Sequence, residues 1–419
     1  MNGSTHPQLP PASQSCFEPQ WLHDRDEPFL HRRDRLPEPA EEPKRLGIRD
    51  FIRVDAAIIR DLNLPIVLCE PVTDMQRRGD FLEYVELLHE AARLPAGSVE
   101  RLLKVTAFTV SVYSCVYRPF LPFRSPAGET GEIVAPDKGI RAIGEKCDDN
   151  PGVNALHVEG RGWVLSGDEK NAIEYRGLYA NIRPTGLFRI DFHDKEIFSF
   201  NPLVTTVQHL VVGKAYIDHY GTMHIRSSLS SLSAQVKYGE PLFGASTHKI
   251  TGWLMEGGKR QASPALHGRW DSKLMVSWGD GSKQLLWQKN PPYQHPSRYN
   301  FSRWVVELGT ESPELQRLLP PTDIRRRRDV RALDSGRYKQ AEQERARILQ
   351  RLREARAART KPHEPCWFTL HPEVRFGEGR RYTYKGGYFE NRELARQGKG
   401  DWDGCPDIFG DGPGAGVYA

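Results

Sequence analysis

Apolar residues recur along this chain in two periods, and the switch between them divides it. From Leu46 to Leu62, the residues Ile48, Phe51, Ile52, Ile58, Ile59 and Leu62 fall within one arc of roughly 120°, the pattern of an amphipathic helix. Pro65 should stop that helix, because its ring removes a backbone donor. A second helical pattern runs from Asp80 to Ala92, with Leu82, Val85 and Leu88 on one side. From about Leu103 the texture changes to short β-rich runs split by Gly, Pro and Asp. Leu187 to Phe192 and Glu196 to Phe200 flank His193-Asp194-Lys195, and Tyr216 to Arg226 turns at Tyr220-Gly221, so two hairpins are predicted. Further strands are predicted near Thr251, Lys273 and Leu285. Tyr338 to Arg359 returns to the helical period, with Ile348, Leu349, Leu352 and Ala355 on one apolar face. Many short strands without intervening helices predict a sandwich or barrel, and the flanking helices make the class mainly β with helices, α+β.

The ends of the chain lack either period. Residues 1–44 are rich in Pro, Glu, Asp and Arg and are predicted to be a disordered tail; the Gly-rich 411–419 is predicted to be flexible. No apolar run reaches the roughly 18 residues of a membrane span, and the N-terminus has no signal-peptide pattern. With 38% hydrophobic residues the composition is that of a soluble globular protein. Six scattered cysteines, with no Cys-x-x-Cys pair, read as reduced thiols of the cytosol.

Charge is unevenly placed. Arg325 to Lys361 holds fourteen Lys/Arg against five Asp/Glu, so the whole chain's net +5 leaves the remainder four charges negative. A basic stripe on a near-neutral body suggests an anionic partner, a membrane or a nucleic acid; the alternative is a solvated helix face.

Catalytic templates fail. There is no Gly-x-Ser-x-Gly elbow and no His-Glu-x-x-His helix, and Gly252 to Arg260 has the wrong spacing for a phosphate loop. His193, His209, His219, His224 and His248 have no metal-ligand spacing, and Asp148-Asp149 reads as a solvated loop. Neither catalysis nor a metal is expected.

Ordered blocks nevertheless span the chain. Leu203 to Arg226 is one; Glu145-Lys146-Cys147-Asp148-Asp149-Asn150-Pro151 leading to Glu159-Gly160-Arg161-Gly162-Trp163 is another. Arg118-Pro119-Phe120-Leu121-Pro122 precedes both, and Pro320-Pro321-Thr322-Asp323 and Cys405-Pro406-Asp407-Ile408-Phe409-Gly410 follow them. Together they resemble the lipid-binding domain of the oxysterol-binding-protein family, most closely its short plant-type members. The resemblance implies a domain over 45–410: a large, near-closed antiparallel β-barrel at about 103–310 around an apolar tunnel, an N-terminal helical lid at about 46–64, and a basic helix at about 338–359. It implies a non-enzymatic carrier with a bound lipid, sterol being one candidate, and no cofactor. Phe51, Ile52, Ile58 and Ile59 would form the underside of the lid; alternatively they are packing of a first helix.

The resemblance also implies a degenerate head-group site. Family members hold phosphatidylinositol 4-phosphate with a Lys and an Asn, two histidines, and Lys, Glu and Arg on the late helix. By position these become Arg118 and Leu121, Asp149 and Asn150, and Arg345, Leu349 and Arg353. An aspartate in place of a phosphate-facing histidine reverses the interaction, worth roughly 4 kcal/mol at 4 Å near a surface. The expected function is lipid binding and transfer at anionic membrane surfaces, in the cytoplasm, with a weakened or lost phosphoinositide site. Two alternatives stay open: a membrane-associated sensor or scaffold without exchange, and a nucleic-acid binder using Arg325-Arg326-Arg327-Arg328, for which no recognised module is present.

Overall fold

The structure, a computed structural model, describes residues 19–42, 65–114, 118, 120–149, 152–176, 179–208, 216–239, 248–295, 299–371, 381–400 and 402–410. Phe51, Ile52, Ile58 and Ile59, the residues expected to form the lid, lie outside them, as do Asn150 and the 411–419 tail.

A short parallel pair comes first, β1 (Cys69–Thr73) with β2 (Leu121–Phe123). Between them lie the helices α1 (Gln76–Asp80), α2 (Glu86–Ala92) and α3 (Val99–Ser114). A single antiparallel sheet of 13 strands follows. Its strands are β3 (Thr130–Ala135), β4 (Ile140–Asp149), β5 (Gly152–Gly160), β6 (Trp163–Tyr175), β7 (Tyr179–Phe192), β8 (Ile197–Phe200) and β9 (Val204–Gln208). It continues through β10 (Tyr216–Ser227), β11 (Leu232–Tyr238), β12 (Lys249–Glu256), β13 (Lys259–Arg269), β14 (Lys273–Ser277) and β15 (Lys283–Gln288). Then come α4 (Arg303–Leu308), α5 (Pro313–Leu318), α6 (Arg328–Asp334), α7 (Tyr338–Ala358), the hairpin β16 (Phe368–His371) and β17 (Arg381–Tyr384), and α8 (Tyr388–Arg396).

The expected β texture from Leu103 is wrong for its first part: residues 99–114 are the helix α3. Its Val105, Thr106, Thr109, Val110 and Val112 are β-branched, but all are buried, and burial on nearly every side overrides their weak helix propensity. The helix touches β10, β11 and β15. A helix laid on one face of a flat sheet would expose its far side, yet α3 is buried on nearly every side, with 12 of its 16 residues buried. The sheet therefore curls around α3, which fills its core together with Phe188, Ile225, Val236 and Leu274. The large sheet ends at Gln288, short of the expected 310, and residues 303–308 form α4 instead, capped by Ser302 accepting from the Val305 N–H.

The hairpin at His193-Asp194-Lys195 forms as expected, pairing β7 with β8. The one at Tyr220-Gly221 does not; Tyr216–Ser227 is a single strand. Its first half pairs β9 and its second half pairs β8 and β11. β7 divides in the same way, Tyr179–Ile182 against β9 and Phe188–Asp191 against β8. β8 and β9 are thus two pieces of one interrupted strand, broken at Asn201-Pro202-Leu203, since proline cannot donate to the ladder. Asn201 fills part of the gap: its Nδ2 donates to Thr222 O and its Oδ1 accepts from the His224 N–H. Both flanking strands bend level with the break at glycines of positive φ, Gly186 (142°) and Gly221 (114°). A Cβ at Gly186 would lie 2.1 Å from Asp168 O.

Residues 19–42, expected to be disordered, are packed on the domain. Phe29 and Leu22 are buried, and the buried Glu27 accepts from Arg392 (2.8 and 3.0 Å) and Arg396 (2.6 Å). Arg392 in turn donates to Glu132. Tertiary ion pairs supply what the local apolar pattern lacks.

Candidate functional site: a cavity with a charged mouth

A cavity of about 680 Å³ opens between the helices and strands β2, β4 to β7, β9 and β10. That is within the roughly 300–1,000 Å³ of ordinary ligand pockets. Its apolar wall comes from the C-terminal turn of α3 (Val112, Tyr113), from Ile182 and Val207, and from the strand break (Pro202, Leu203). The break does this by turning backbone out of the ladder: the Leu203 N–H donates to Tyr113 Oη at 2.8 Å instead of to a strand. His219 on β10 also lines the cavity. Its ring packs edge-on against Tyr113 and Trp270, at 4.7 and 4.8 Å between centroids. Burial, with His248 nearby adding to it, pushes its pKa down to about 3, so it is neutral. Nδ1 lies 3.1 Å from Thr205 Oγ1, and Nε2 has no hydrogen-bond partner among the described residues.

Charge gathers at one part of the wall. Five cationic side chains (Arg77, Arg78, Arg124, Lys146, Arg356) and three carboxylates (Asp74, Asp149, Glu169) line it. Arg78 pairs with Glu169 at 2.7 Å, Arg77 with Glu70 at 2.6 Å, and Lys146 with Asp74 at 3.1 Å. Burial pushes the Asp74 carboxyl up, but Lys146 and the Ser125 hydrogen bonds outweigh it and hold the pKa below its ordinary value. A bulge at Lys146–Asp148 shifts the register of β4 against β5. It lets Lys146 and Asp149, three apart, line one cavity, although strict alternation would send them to opposite faces. The Asp149 carboxylate accepts from the Ala127 N–H at 2.8 Å, and its carbonyl accepts from Arg124 at 3.1 Å.

Of the residues expected at the head-group site, Leu121 and Asp149 line the cavity. Arg118 is instead buried in the shell. Its Nη2 donates to Glu70 (3.0 Å) and Asp80 (2.6 Å), and its guanidinium stands over the Phe301 ring at 5.0 Å. Sequence position could not reveal this, because Glu70 and Asp80 reach it only through the fold. Arg345, Leu349 and Arg353 lie on α7, as expected, but not among the cavity-lining residues. Arg345 approaches Cys69 Sγ at 3.9 Å, and Arg353 is exposed. The α7 residue on the cavity is Arg356, one turn further on; a helix stripe counted on from Arg345 and Arg353 would have reached its neighbourhood. Lys146, Arg78 and Arg124 were also missed. Lys146 stands within the Glu145–Pro151 block, and only the bulge assigns it to the cavity.

The arginine run at 325–328 is not a free basic surface. Arg325 and Arg327 are buried; Arg327 pairs with Glu129 (2.9 Å) and Asp329 (2.6 Å), and Arg325 donates to Glu132 O. Charges committed in this way leave little for a nucleic-acid backbone. No group of three or more metal-ligating side chains occurs among the described residues. No described helix is long and apolar enough to cross a membrane.

Comparison with known proteins agrees with this architecture. The fold is similar to the crystal structure of the Osh1 ORD domain in complex with ergosterol, with a TM-score of 0.76 and 24% identity over 87% of this chain and 92% of that one. It is also similar to the Osh3 ORD of Saccharomyces cerevisiae in complex with PI(4)P, with a TM-score of 0.73, 24% identity and coverage of 87% and 97%. In sequence, the chain is 34% identical to oxysterol-binding protein-related protein 1B of Arabidopsis thaliana, over 91% of this chain and 78% of the relative. It is 35% identical to the 2B protein of the same plant, of which it spans 54%. Human oxysterol-binding protein-related protein 3 is 31% identical over 80% of this chain and 39% of its own length. The family model described as oxysterol-binding protein matches residues 55–393. With the curled sheet, the buried helix and the cavity in place, that match makes the chain a member of the oxysterol-binding protein family.

Proposed function

We propose that this chain binds one lipid in the cavity and carries it between membranes, without catalysis, and that it prefers a sterol or another lipid of low head-group charge to phosphatidylinositol 4-phosphate. The observation that carries the preference is Asp149, whose carboxylate lies on the wall where a phosphate-binding cation would be needed. Arg118, the cation expected beside it, is held in the shell by Glu70 and Asp80. Of the five cations on the cavity, Arg77, Arg78 and Lys146 already have a carboxylate partner, and Arg124 donates to the Asp149 carbonyl. The apolar wall favours any alkyl or ring body: each methylene buried contributes about 0.8 kcal/mol, so a body of roughly 20 carbons gains on the order of 15 kcal/mol. Neutral His219, whose Nε2 has no hydrogen-bond partner among the described residues, offers an uncharged hydrogen-bonding group inside. Solved relatives in complex with ergosterol, cholesterol and PI(4)P support a lipid ligand of this size.

Membrane approach would use the exposed arginines of α7, including Arg353 and Arg356. Each contributes about 1 kcal/mol near an anionic surface, which implies a protein of the cytoplasm peripheral to membranes. A second reading, a lipid sensor or scaffold without exchange, draws on the same loss of head-group anchors.

Mass spectrometry of co-purifying lipids, paired with extraction from liposomes holding sterol or phosphatidylinositol 4-phosphate, separates these. Sterol extraction without phosphoinositide extraction is the expected result. Strong phosphoinositide extraction would overturn the preference, and membrane binding with no lipid removed would favour the sensor.

A further inference from the structure

The outer face of the last strands of the sheet has no part in the cavity: none of the residues lining it belongs to β11–β15. Register partners lie on one face of a sheet. One outer row is therefore Gln235, Trp253, Ala265, Ser277 and Lys283, and the next is Lys237, Thr251, His267, Met275 and Leu285. The residues that alternate with them, such as Val236, Leu254, Leu266 and Val276, are buried in the core. Lys249, Arg269 and Lys273 form a third row at one end of this face. Arg226 of β10 joins Ser233, Met255 and Arg260 in a fourth row at the other end.

A sheet with one wet side needs polar residues there, but it does not need a single sign of charge. These four rows carry lysines and arginines and no carboxylate. Glu256, Asp271 and Asp280, the carboxylates of residues 249–289, stand at the end of β12 or in turns. Lys237, Arg260, Lys273 and Lys283 are exposed, with no ion pair among the described residues. Apolar groups sit among these cations. Leu285 is 46% exposed, and Leu229, in the β10–β11 turn beyond Arg226, is 56% exposed. Trp253 and Met275 are half-buried, and the Arg260 guanidinium stands over the Trp253 ring at 4.3 Å.

We propose that the outer face of β10–β15 is a docking surface for an anionic lipid bilayer, made of residues other than those of the cavity mouth and α7, so that one chain has two membrane-contacting faces. Lysines and arginines near an anionic leaflet are attracted without a fixed partner geometry. Exposed leucines gain by entering the boundary between head groups and acyl chains, and indoles favour the same level. A single-stranded nucleic acid would need open aromatic faces for stacking, and the Trp253 face is taken by Arg260. Edge pairing with a second copy along β15 is opposed by Lys283 and by the register shift between Leu274 and Met275. This face rests on the proposed function only in having a membrane as its partner; the lipid in the cavity does not enter.

Co-sedimentation of the full chain with phosphatidylcholine vesicles, with and without phosphatidylserine, tests it. In the triple variant Lys237→Glu, Lys273→Glu, Lys283→Glu, binding to the phosphatidylserine vesicles should fall by at least about tenfold. Leu285→Ser should weaken it by about fivefold. Uptake of sterol from cyclodextrin by the triple variant should match that of the unmodified chain. A chain that takes up no sterol yet shows these vesicle losses would sink the carrier reading and support this face. Binding unchanged in the triple variant but lost in Arg353→Glu would confine membrane contact to α7 and overturn the proposal. Binding of the unmodified chain to duplex DNA and not to the vesicles would overturn it as well. Hydrogen exchange on the unmodified chain decides independently of whether the variants fold: amides of 228–231 and 283–285 should slow by at least about twofold with phosphatidylserine vesicles, and unchanged rates would overturn the docking.

Discussion

At Arg392 a guanidinium 6% exposed is clamped between Glu27 and Glu132, both inaccessible to solvent; at the cavity mouth Arg78 and Glu169, 12% and 9% exposed, meet beside an open space of about 680 Å³. Both are arginine–carboxylate contacts of similar length. In the shell, at Arg392, Arg327 and Arg118, every charge is answered by protein groups and each cluster joins segments distant in sequence. At the mouth, the carboxylates and cations are shared with a space that a ligand can fill. Charge identity therefore says little about role here; what surrounds the pair decides whether it holds the fold or meets the ligand.

The comparison breaks if a shell cluster can be removed cheaply. Arg392→Ala leaves Glu132 buried without its cation and Glu27 with Arg396 alone, and a loss of about 3–5 kcal/mol in urea unfolding is expected. A loss below 1 kcal/mol would mean that the shell clusters are as loosely held as surface pairs.

A pH titration of stability sharpens it. Burial pushes the Asp80 carboxyl up to about 6, against the opposing pull of Arg118. The folded state then binds this proton more tightly than the unfolded chain does. Its contribution is fully present below pH 3.8, the ordinary value, and is lost as pH rises through about 6. Asp80→Asn should remove that component, flattening the stability curve between these limits by on the order of 3 kcal/mol. A curve unchanged in slope would show that Asp80 is ionised throughout and fully compensated by Arg118.

The smallest expected stability change belongs to the mouth. Asp149→His removes the carboxylate there at the cost of one hydrogen bond to the Ala127 N–H, about 1 kcal/mol. Phosphatidylinositol 4-phosphate extraction should rise by at least about tenfold while sterol extraction holds. An equal change in both lipids would place Asp149 in the framework rather than at the head group.

Much of the fold was legible because most of its strands are short, local and set off by turn signals such as His193-Asp194-Lys195, and because α7 repeats its apolar face over five turns' worth of sequence without a breaker. What escaped did so for physical reasons. α3 is rich in β-branched residues because it is buried on nearly every side, so neither propensity nor amphipathic period marked it. Tyr220-Gly221 carries a turn signal, yet the glycine's positive φ bends one strand rather than reversing the chain. At the site, Asp149 was found through the substitution pattern, and Lys146 was not, because a bulge is invisible to a count of alternation. Arg118 was assigned by position, and only the fold reveals that two carboxylates from other elements had already claimed it.

The clamp of Glu27 with Arg392 and Arg396 has a mechanical meaning. It joins the first described segment to the last described helix, across more than 360 positions of chain. Tension applied between residue 24 and residue 396 is met there first, by ion pairs loaded side by side, before any strand of the curled sheet bears force. A tether pulling on both ends of this region would thus be short-circuited at its base, and the cavity would keep its shape under load.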